Sequence, residues 1–176
     1  MEFQTLISEK VYQGRAFDVR RDEIKLPNGK ITNLDIVEHC GAVTILPFDD
    51  EGFIWFVSQY RHAAGRHILE LPAGTLEDGE DPIKCAQREI QEEIGMGATS
   101  VQKIGEFFLA PGYSTEYMYI YLAKDLYPSS LPQDEDEILE TIRLSTDEVK
   151  TKIAKGKIQD AKTIASLFLA QDLIKN

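Results

Sequence analysis

GTLEDGEDPIKCAQREIQEEIGM, the stretch Gly74–Met96, sets three glutamates within five consecutive positions of one predicted helix. On a helix that turns by about 100° per residue, Glu89, Glu92 and Glu93 fall within a strip about 100° wide. Like charges at this spacing cost roughly 0.2–0.5 kcal/mol per pair on an exposed helix. The cluster is therefore either a fully solvated face or a place where a cation binds.

The same stretch carries the signals of an amphipathic helix. Asp81 is placed to cap the helix, Pro82 lies in its first turn, and Gly95 is placed to end it. Carboxylates at the edge of a core suit a hard divalent cation such as magnesium, which takes oxygen ligands. The apolar positions lie about 100° round from the acidic strip and are Ile83, Ala86, Ile90 and Ile94.

The overall charge restricts the partners that this chain can bind. The 176 residues include 19 Lys and Arg against 30 Asp and Glu, so the formal net charge is −11 at pH 7. Nucleic-acid polymers are held mainly by Lys and Arg, so no nucleic-acid partner is expected. A small phosphorylated substrate fits this charge if bound cations bring it to the protein's own carboxylates.

Length and composition predict one enzyme-sized domain, with 43% of its residues hydrophobic. No apolar run reaches the ~18 residues needed to cross a bilayer, and the first residues lack the regions of a signal peptide. Two cysteines, Cys40 and Cys85, do not make a disulfide framework. These features predict a soluble cytoplasmic protein with no membrane partner, in which Cys85 is buried and structural.

Short strands alternate with a few helices in the predicted secondary structure. Residues 16–26 and 30–39 form a hairpin around Pro27-Asn28-Gly29, a strong turn signal. Further strands are expected over residues 42–48, 53–59, 68–71, 101–109, 117–122 and 138–144. Two helices follow, over residues 146–155 and about 161–174, the second capped by Asp160. Its apolar stripe, which we expect to pack in the core, comprises Ile164, Ala165, Phe168 and Leu169. Mixed strands and helices favour an α/β domain.

The full spacing of the acidic stretch resembles the signature of the Nudix hydrolase family, GX5EX7REUXEEXGU with U an aliphatic residue, at every defined position. The matching residues are Gly74, Glu80, Arg88, Glu89, Glu92, Glu93 and Gly95. The resemblance implies an α/β/α sandwich of mixed sheets and a metal-dependent hydrolase of pyrophosphate bonds. It also implies a structural role for four of the residues, Gly74, Glu80, Arg88 and Gly95, with Glu80 and Arg88 as an internal ion pair.

Metal ligands are implied by the same resemblance. Glu89 and Glu93 are the main ligands, the backbone carbonyl of Ala73 completes a shell, and Glu92 assists directly or through water. The expected ion is magnesium, with manganese as the alternative. Two or three divalent ions can bridge phosphate oxygens and lower the pKa of a bound water.

Segments outside the signature resemble the ADP-ribose pyrophosphatase branch of the family. They are Gln59-Tyr60-Arg61, Leu69-Glu70-Leu71-Pro72-Ala73-Gly74 and a segment near the end, residues 156–163. Pro111, sixteen residues after Gly95, is a marker of that branch. Tyr113, eighteen residues after Gly95, can instead mark diadenosine polyphosphate hydrolases. The resemblance implies that Arg61, Pro111 and Glu116 bind substrate, and a guanidinium suits phosphate oxygens. Arg20, Arg21 and Arg66 are alternative helpers or solvated surface residues.

A second acidic run, Asp134-Glu135-Asp136-Glu137, is by itself typical of a solvated loop. In an extended segment Glu135 and Glu137 point to the same side. By resemblance to the Glu-x-Glu pattern of the ADP-ribose branch, Glu135 is the candidate general base and Glu137 an additional metal ligand. Catalysis is thus expected from Glu135 with Glu92 and Glu93.

The resemblance also implies how the chain is divided and what it acts on. Residues 1–39 are expected to form a sheet that builds a homodimer, and residues 40–176 the hydrolase domain. The expected substrate is a small nucleotide diphosphate, ADP-ribose or a related nucleotide sugar, split into AMP and ribose 5-phosphate. Alternatives are GDP-mannose, flavin adenine dinucleotide and diadenosine polyphosphates. A non-catalytic nucleotide sensor is a different alternative, disfavoured because every glutamate of the signature is present.

Overall fold

The computed structural model describes residues 2–133 and 138–174, in which three α-helices, one short 3-10 helix, His62–Ala64, and ten strands are found. The strands are β1 Gln4–Gln13, β2 Asp18–Lys25, β3 Ile31–Glu38, β4 Ala42–Pro47, β5 Phe53–Arg61, β6 Arg66–Glu70, β7 Ala73–Thr75, β8 Met96–Phe108, β9 Tyr117–Pro128 and β10 Leu139–Ser145. The helices are α1 Pro82–Glu93, α2 Thr146–Ala154 and α3 Ala161–Ala170. The chain forms two compact units, Met1–Gly41 with Phe108–Tyr117, and Ala42–Phe107 with Met118–Asn176.

The first unit, here called the N-terminal unit, contains an antiparallel sheet in the order β1-β2-β3. The predicted hairpin is confirmed, with Gly29 at φ 85° in the turn between β2 and β3. Strand β1 was not predicted. Two register shifts interrupt its pairing with β2, between Thr5 and Ile7 and between Lys10 and Tyr12. Such bulges remove the strict alternation by which a strand is recognised in sequence.

The second unit, here called the box unit because it contains the acidic stretch Gly74–Met96, has two further sheets. One has the order β7-β4-β9-β8, with β4 parallel to β9 and antiparallel to β7. The other is antiparallel, in the order β10-β5-β6. The predicted strands are present; β8 and β9 are longer than expected, and the three-residue β7 was not predicted.

Strand β4 lies between two helices, which confirms the predicted α/β/α sandwich. Val43 and Ile45 pack in one buried cluster with Ile90 of α1. Leu46 packs in another with Ala170 of α3. Successive side chains of a strand point to opposite faces, so β4 contributes to both layers of the core.

Helix α1 begins and ends where its sequence predicts. The Asp81 side chain accepts a hydrogen bond from the backbone N–H of Ile83 at 3.2 Å, and Pro82 is the first helical residue. Gly95 follows the helix with φ 68°, a left-handed conformation that glycine adopts without a steric penalty. The helix buries Cys85, Ala86 and Ile90 against the sheet.

Helix α3 has the predicted cap, but its buried face is not the predicted one. Asp160 accepts from the backbone N–H of Thr163 at 2.9 Å. The proposed core stripe is wrong, because Phe168 is 68% exposed and Ile164 and Leu169 are each 38% exposed. The residues that are buried are Lys162, Thr163, Ser166 and Ala170. The polar side chains are buried because they find partners inside: Thr163 Oγ1 accepts from the backbone N–H of Leu71 at 2.8 Å.

In the described part of the chain, no helix has the length and apolar character needed to cross a membrane.

Replacing Thr163 with Val should lower the free energy of unfolding by roughly 1–3 kcal/mol, because the buried N–H of Leu71 then loses its acceptor. Ser166→Ala is the matched control in the same helix. The Ser166 hydroxyl donates to the Lys162 carbonyl one turn earlier, a bond that adds little to helix stability. Urea unfolding of both variants measures the difference, and an equal or larger loss for Ser166→Ala would contradict this account of the α3 interface.

Candidate active site

A single guanidinium holds the loop and the helix of the Gly74–Met96 stretch together. Arg88 donates from Nε and Nη2 to the two carboxylate oxygens of Glu80, each at 3.1 Å. The residues predicted as an internal ion pair therefore lie in two-point contact. Hydrogen bonding to Arg88 holds the pKa of Glu80 below its ordinary value, and the same bond raises the pKa of Arg88.

Arg88 also faces two of the three clustered glutamates. Its Nη1 lies 2.7 Å from Glu89 Oε1 and 2.8 Å from Glu92 Oε2. The repulsion expected among these carboxylates is thus offset in part by a cation of the chain itself. The predicted acidic strip is not a solvated face, because Glu89 is 7% exposed and Glu93 is 3% exposed.

Gly74 makes room for the Glu89 carboxylate. A Cβ atom added at Gly74 would lie 1.8 Å from Glu89 Oε1 and 2.0 Å from its Cδ, far inside van der Waals contact. Gly74 is in β7, where it pairs with Val43 of the central strand. The first glycine of the signature is therefore explained by the close approach of a carboxylate from α1.

Glu93 is bound to the same short strand. Its Oε2 accepts a hydrogen bond from the backbone N–H of Ala73 at 3.1 Å. Glu89 and Glu93, one helical turn apart, are thus both held against residues 73–74. The structure brings Ala73, Gly74, Glu89 and Glu93 together as one oxygen-rich group.

Whether these residues suit a metal ion can be judged from their donors. Carboxylate and carbonyl oxygens suit a hard divalent cation, and the missing side chain of Gly74 leaves room for the Glu89 carboxylate at this strand. Among the described residues, however, no group of three or more His, Cys, Asp or Glu side chains is arranged to hold a metal. The chemistry of the donors fits a divalent cation, and Ala73, Glu89 and Glu93 could supply part of its coordination shell.

The cysteine within this stretch is buried, as predicted. Cys85 Sγ lies 3.7 Å from the carbonyl oxygen of Thr75 and accepts from Arg88 Nη2 at 3.4 Å. Burial raises the pKa of the Cys85 thiol, and the nearby carboxylates of Glu89 and Glu80 raise it further. The thiol therefore stays protonated and packs as a small apolar group.

Arg61, the predicted substrate-binding cation, ends β5 in a fork-like ion pair with Glu70. Its Nε lies 2.7 Å from Glu70 Oε1, and its Nη2 lies 3.1 Å from Oε2. Although burial opposes the charged form, pairing with Glu70 and the neighbouring carboxylates of Glu93 and Asp160 raise the pKa of Arg61. Arg61 is thus a fixed cation electrostatically coupled to Glu93 of α1.

Glu70 and its second partner, Lys162, were not identified from the sequence. Glu70 is 2% exposed, and its Oε2 also accepts from Lys162 Nζ. The available signal was an acidic residue inside an otherwise apolar strand end, Ile68-Leu69-Glu70-Leu71. A buried carboxylate requires a cation, so this pattern indicates a partner elsewhere in the chain.

The remaining predicted site residues are divided between the two units. Pro111 is exposed and Glu116 half-buried, and both belong to the N-terminal unit. Two of the alternative arginines also belong to that unit, where Arg20 pairs with Asp22 and Glu38, and Arg21 with Asp35. Arg66, in the box unit, donates to Gln159 at 2.6 Å.

Glu135 and Glu137 lie outside the described residues, but the chain on either side of them is well anchored. On the N-terminal side, the backbone N–H of Leu131 donates to the carbonyl of Gln91 in α1 at 3.1 Å. On the C-terminal side, Leu139 pairs with Gln59, two residues before Arg61. The described residues that flank the acidic run thus contact α1 on one side and β5, the strand that carries Arg61, on the other.

Comparison with known proteins identifies relatives over almost the whole chain. Residues 38–167 match the NUDIX domain, and residues 3–33 match the nucleoside diphosphate sugar hydrolase N-terminal domain. The chain is 36% identical to the ADP-ribose pyrophosphatase of Bacillus subtilis over 173 residues, 97% of this chain and 94% of the relative. It is 36% identical to the methanol dehydrogenase activator of Bacillus methanolicus over 172 residues, 97% and 93% of the two chains.

A solved structure shares the fold. The crystal structure of an ADP compounds hydrolase superposes with a TM-score of 0.88 at 27% sequence identity, covering 99% of this chain and 95% of the other.

Replacing Glu80 with Gln should lower the free energy of unfolding by roughly 1–3 kcal/mol at neutral pH, because Arg88 loses a charged partner. The pKa of Glu80 is lowered in the folded protein, so its stabilisation is present above the unfolded pKa. It is lost as the pH falls through the folded pKa. Urea unfolding of the wild type and variant should therefore differ at neutral pH and converge in acid.

Glu77→Gln is the control for this comparison, since Glu77 is exposed and its backbone N–H and carbonyl, which form hydrogen bonds with Glu80, are kept. This substitution should stay within about 0.5 kcal/mol of the wild type. If the loss of free energy of unfolding in Glu80→Gln persisted unchanged in acid, the ion pair with Arg88 would not be its source.

Proposed function

The chain belongs to the Nudix family, and on this premise we propose that it hydrolyses the pyrophosphate bond of ADP-ribose to AMP and ribose 5-phosphate. The observation that carries the proposal is the placement of Glu89 over Gly74 beside Glu93, which gathers two carboxylates of the signature on residues 73–74. The ADP-ribose pyrophosphatase and ADP compounds hydrolase among its relatives support the choice of substrate.

A divalent cation is part of the proposal, because Nudix hydrolases generally need one. Glu89, Glu93 and the backbone carbonyl of Ala73 would hold it, with Glu137 as a further ligand from outside the described residues. Magnesium suits such all-oxygen donors and retains waters and substrate phosphates in its shell, with manganese as the alternative. When bound, the cation supplies charge neutralisation for the pyrophosphate and a more acidic water.

The chain's own residues have distinct parts in the proposed reaction. Arg61 binds oxygens of the diphosphate through guanidinium donors that its pairing with Glu70 leaves available. Glu135 takes a proton from the attacking water, and Glu92 and Glu93 assist through the carboxylates of α1. Water adds to one phosphorus, the P–O bond of the bridging oxygen breaks, and each product carries a terminal phosphate.

Substrate choice is proposed to depend on residues outside the signature. The carboxylates of α1 activate a pyrophosphate and read little of what flanks it. Pro111 and Glu116 are the proposed specificity residues, on the resemblance of their segment to the ADP-ribose branch. GDP-mannose, flavin adenine dinucleotide and diadenosine polyphosphates remain the alternative substrates, and non-catalytic nucleotide sensing the alternative function.

A homodimer is proposed on the character of the N-terminal sheet. All ten residues of β1 are exposed in the single chain, among them Leu6, Ile7, Val11 and Tyr12. Large exposed apolar groups clustered on one strand favour burial against another surface. We further propose a cytoplasmic location, because the two cysteines, Cys40 and Cys85, are both free thiols.

Incubating the pure protein with ADP-ribose and magnesium should yield AMP and ribose 5-phosphate in equal amounts, resolved by phosphate NMR or chromatography. A parallel panel with GDP-mannose, flavin adenine dinucleotide and diadenosine polyphosphates tests the alternatives. The absence of AMP from ADP-ribose, together with cleavage of another member of the panel, would refute the substrate. Ligand-dependent stabilisation without turnover of any member would favour the sensor.

Gly74→Ala should lower kcat about 100-fold while the protein stays folded. The added Cβ would meet Glu89 Oε1 at 1.8 Å, so the carboxylate must move, and a displacement of about 1 Å can cost on the order of 10² in rate. Steady-state kinetics and urea unfolding measure the two effects.

Gly97→Ala is the matched control for Gly74→Ala. Its Cβ would lie 2.5 Å from Cζ of Tyr127, an exposed ring that can turn into solvent, and no carboxylate of α1 is involved. Its kcat should stay within about twofold of the wild type. Near-normal turnover of Gly74→Ala would show that the position of Glu89 does not limit the reaction.

A further inference from the structure

Lys162 is a buried cation outside the signature. It is the second residue of α3 and only 8% exposed. Its ammonium contacts Glu70 Oε2 and lies 3.1 Å from Asp160 Oδ1. Lysine is almost never fully buried unless it is paired, because removing the ammonium from water is costly. A short apolar residue would fill this place without that cost, so the cation itself needs an explanation.

The contacts of Lys162 lead directly to Arg61. Glu70 Oε2 accepts from both Lys162 Nζ and Arg61 Nη2, while Glu70 Oε1 accepts from Arg61 Nε. The orientation of the Glu70 carboxylate therefore fixes the plane of the Arg61 guanidinium. Lys162 in turn holds that carboxylate as a buried partner, since its side chain is 10% exposed whereas the Arg61 side chain is 43% exposed.

The charges of this group also depend on Lys162. Arg61 and Lys162 contribute two positive charges, and Glu70 and Asp160 two negative charges, so the group is neutral. Without Lys162 it would carry a net charge of −1 beside the carboxylates of α1. An anionic diphosphate would then meet a more repulsive site, and Arg61 would be held more tightly by surplus carboxylate.

We propose that Lys162 is a positioning residue for substrate binding, which holds Glu70 and thereby presents the Arg61 guanidinium to the diphosphate of the nucleotide. The inference rests on the proposed function for the role of Arg61. The fork of Arg61 that faces Glu70 uses Nε and one Nη2 donor, and the Nη1 edge is the one that remains for phosphate. Lys162 itself does not touch the substrate.

Lys162→Met should raise KM for ADP-ribose roughly tenfold and leave kcat within about threefold, because contacts to the diphosphate act equally in the ground and transition states. A general loosening of α3 would instead lower kcat or the active fraction at unchanged KM. Lys150→Met, which removes an exposed lysine of α2 paired with Asp147, is the control and should not change KM.

A double-mutant cycle with Arg61→Lys tests whether Lys162 acts through Arg61. Arg61→Lys keeps a cation for Glu70 but loses the planar fork, so it should raise KM by itself. In that background Lys162→Met should cause no further rise, because no oriented guanidinium is left to misplace. Additive effects of the two substitutions on KM, or an unchanged KM in Lys162→Met alone, would overturn the proposal.

Removing a buried cation can prevent folding, which unfolding measurements would reveal. Lys162→Gln then replaces Lys162→Met in the same cycle, since its amide can still donate to Glu70 without the charge. Lys162→Gln should also raise KM, by a smaller factor than Lys162→Met, and an unchanged KM would overturn the proposal.

The experiments distinguish a wrong choice of ADP-ribose as substrate from a wrong role for Lys162. If the wild type cleaves another nucleotide instead of ADP-ribose, the proposed substrate is wrong and the cycle is measured on the nucleotide that is cleaved. Coupled effects there support the role of Lys162, and additive effects there overturn it.

Discussion

The arrangement of the acidic residues depends on the contacts that the Arg88 guanidinium makes with them. This guanidinium contacts Glu80 in the loop before α1, and Glu89 and Glu92 on the helix itself. Without a cation at this point, the carboxylates of Glu89 and Glu92 on the helix and of Glu80 in the loop would repel each other. Because Arg88 is tied to Glu80 by two hydrogen bonds, the loop and the helix are held in one relative position.

Backbone geometry then decides which carboxylates can reach the sheet. Gly74 has no side chain, so Glu89 can approach β7 more closely than it could if position 74 held any other amino acid. The adjacent N–H of Ala73 holds Glu93. A glycine and a backbone amide thus place two carboxylates on one short strand, and the register of β7 against β4 fixes where that strand lies.

The parts of the structure that could be predicted from the sequence are those governed by neighbouring residues. Helix α1 has its cap at Asp81 and its glycine at Gly95 within the same stretch, and both boundaries were predicted correctly. Helix α3 has an equally local cap, but its buried face was predicted wrongly. That face depends on Glu70, 92 residues before Lys162, and no periodic pattern within α3 indicates such a partner.

The candidate site likewise has residues that could be predicted from the sequence and residues that could not. The family signature identified the carboxylates of α1 and their arginine, because their spacing is fixed by a single helix and its preceding loop. The pairing of Arg61 with Glu70 joins β5 to β6 through strand register, and a one-residue slip would turn either side chain to the opposite face. Sequence alone suggested Arg61 as a cation that binds substrate, but its counter-ion, Glu70, could be identified only from the folded sheet.

One short segment, Glu70–Gly74, connects the two groups of charges. Glu70 accepts from Arg61 and Lys162, while the N–H of Ala73 donates to Glu93. Between them, the N–H of Leu71 donates to Thr163, and the carbonyl of Pro72 accepts from Ile45. The four residues Glu70 to Ala73 are thus tied to β5, α3, β4 and α1. A displacement of Glu70 would therefore be transmitted over three residues to the backbone that holds Glu93. The proposed binding of the diphosphate at Arg61 and the proposed chemistry of the α1 carboxylates therefore depend on the position of the same short segment.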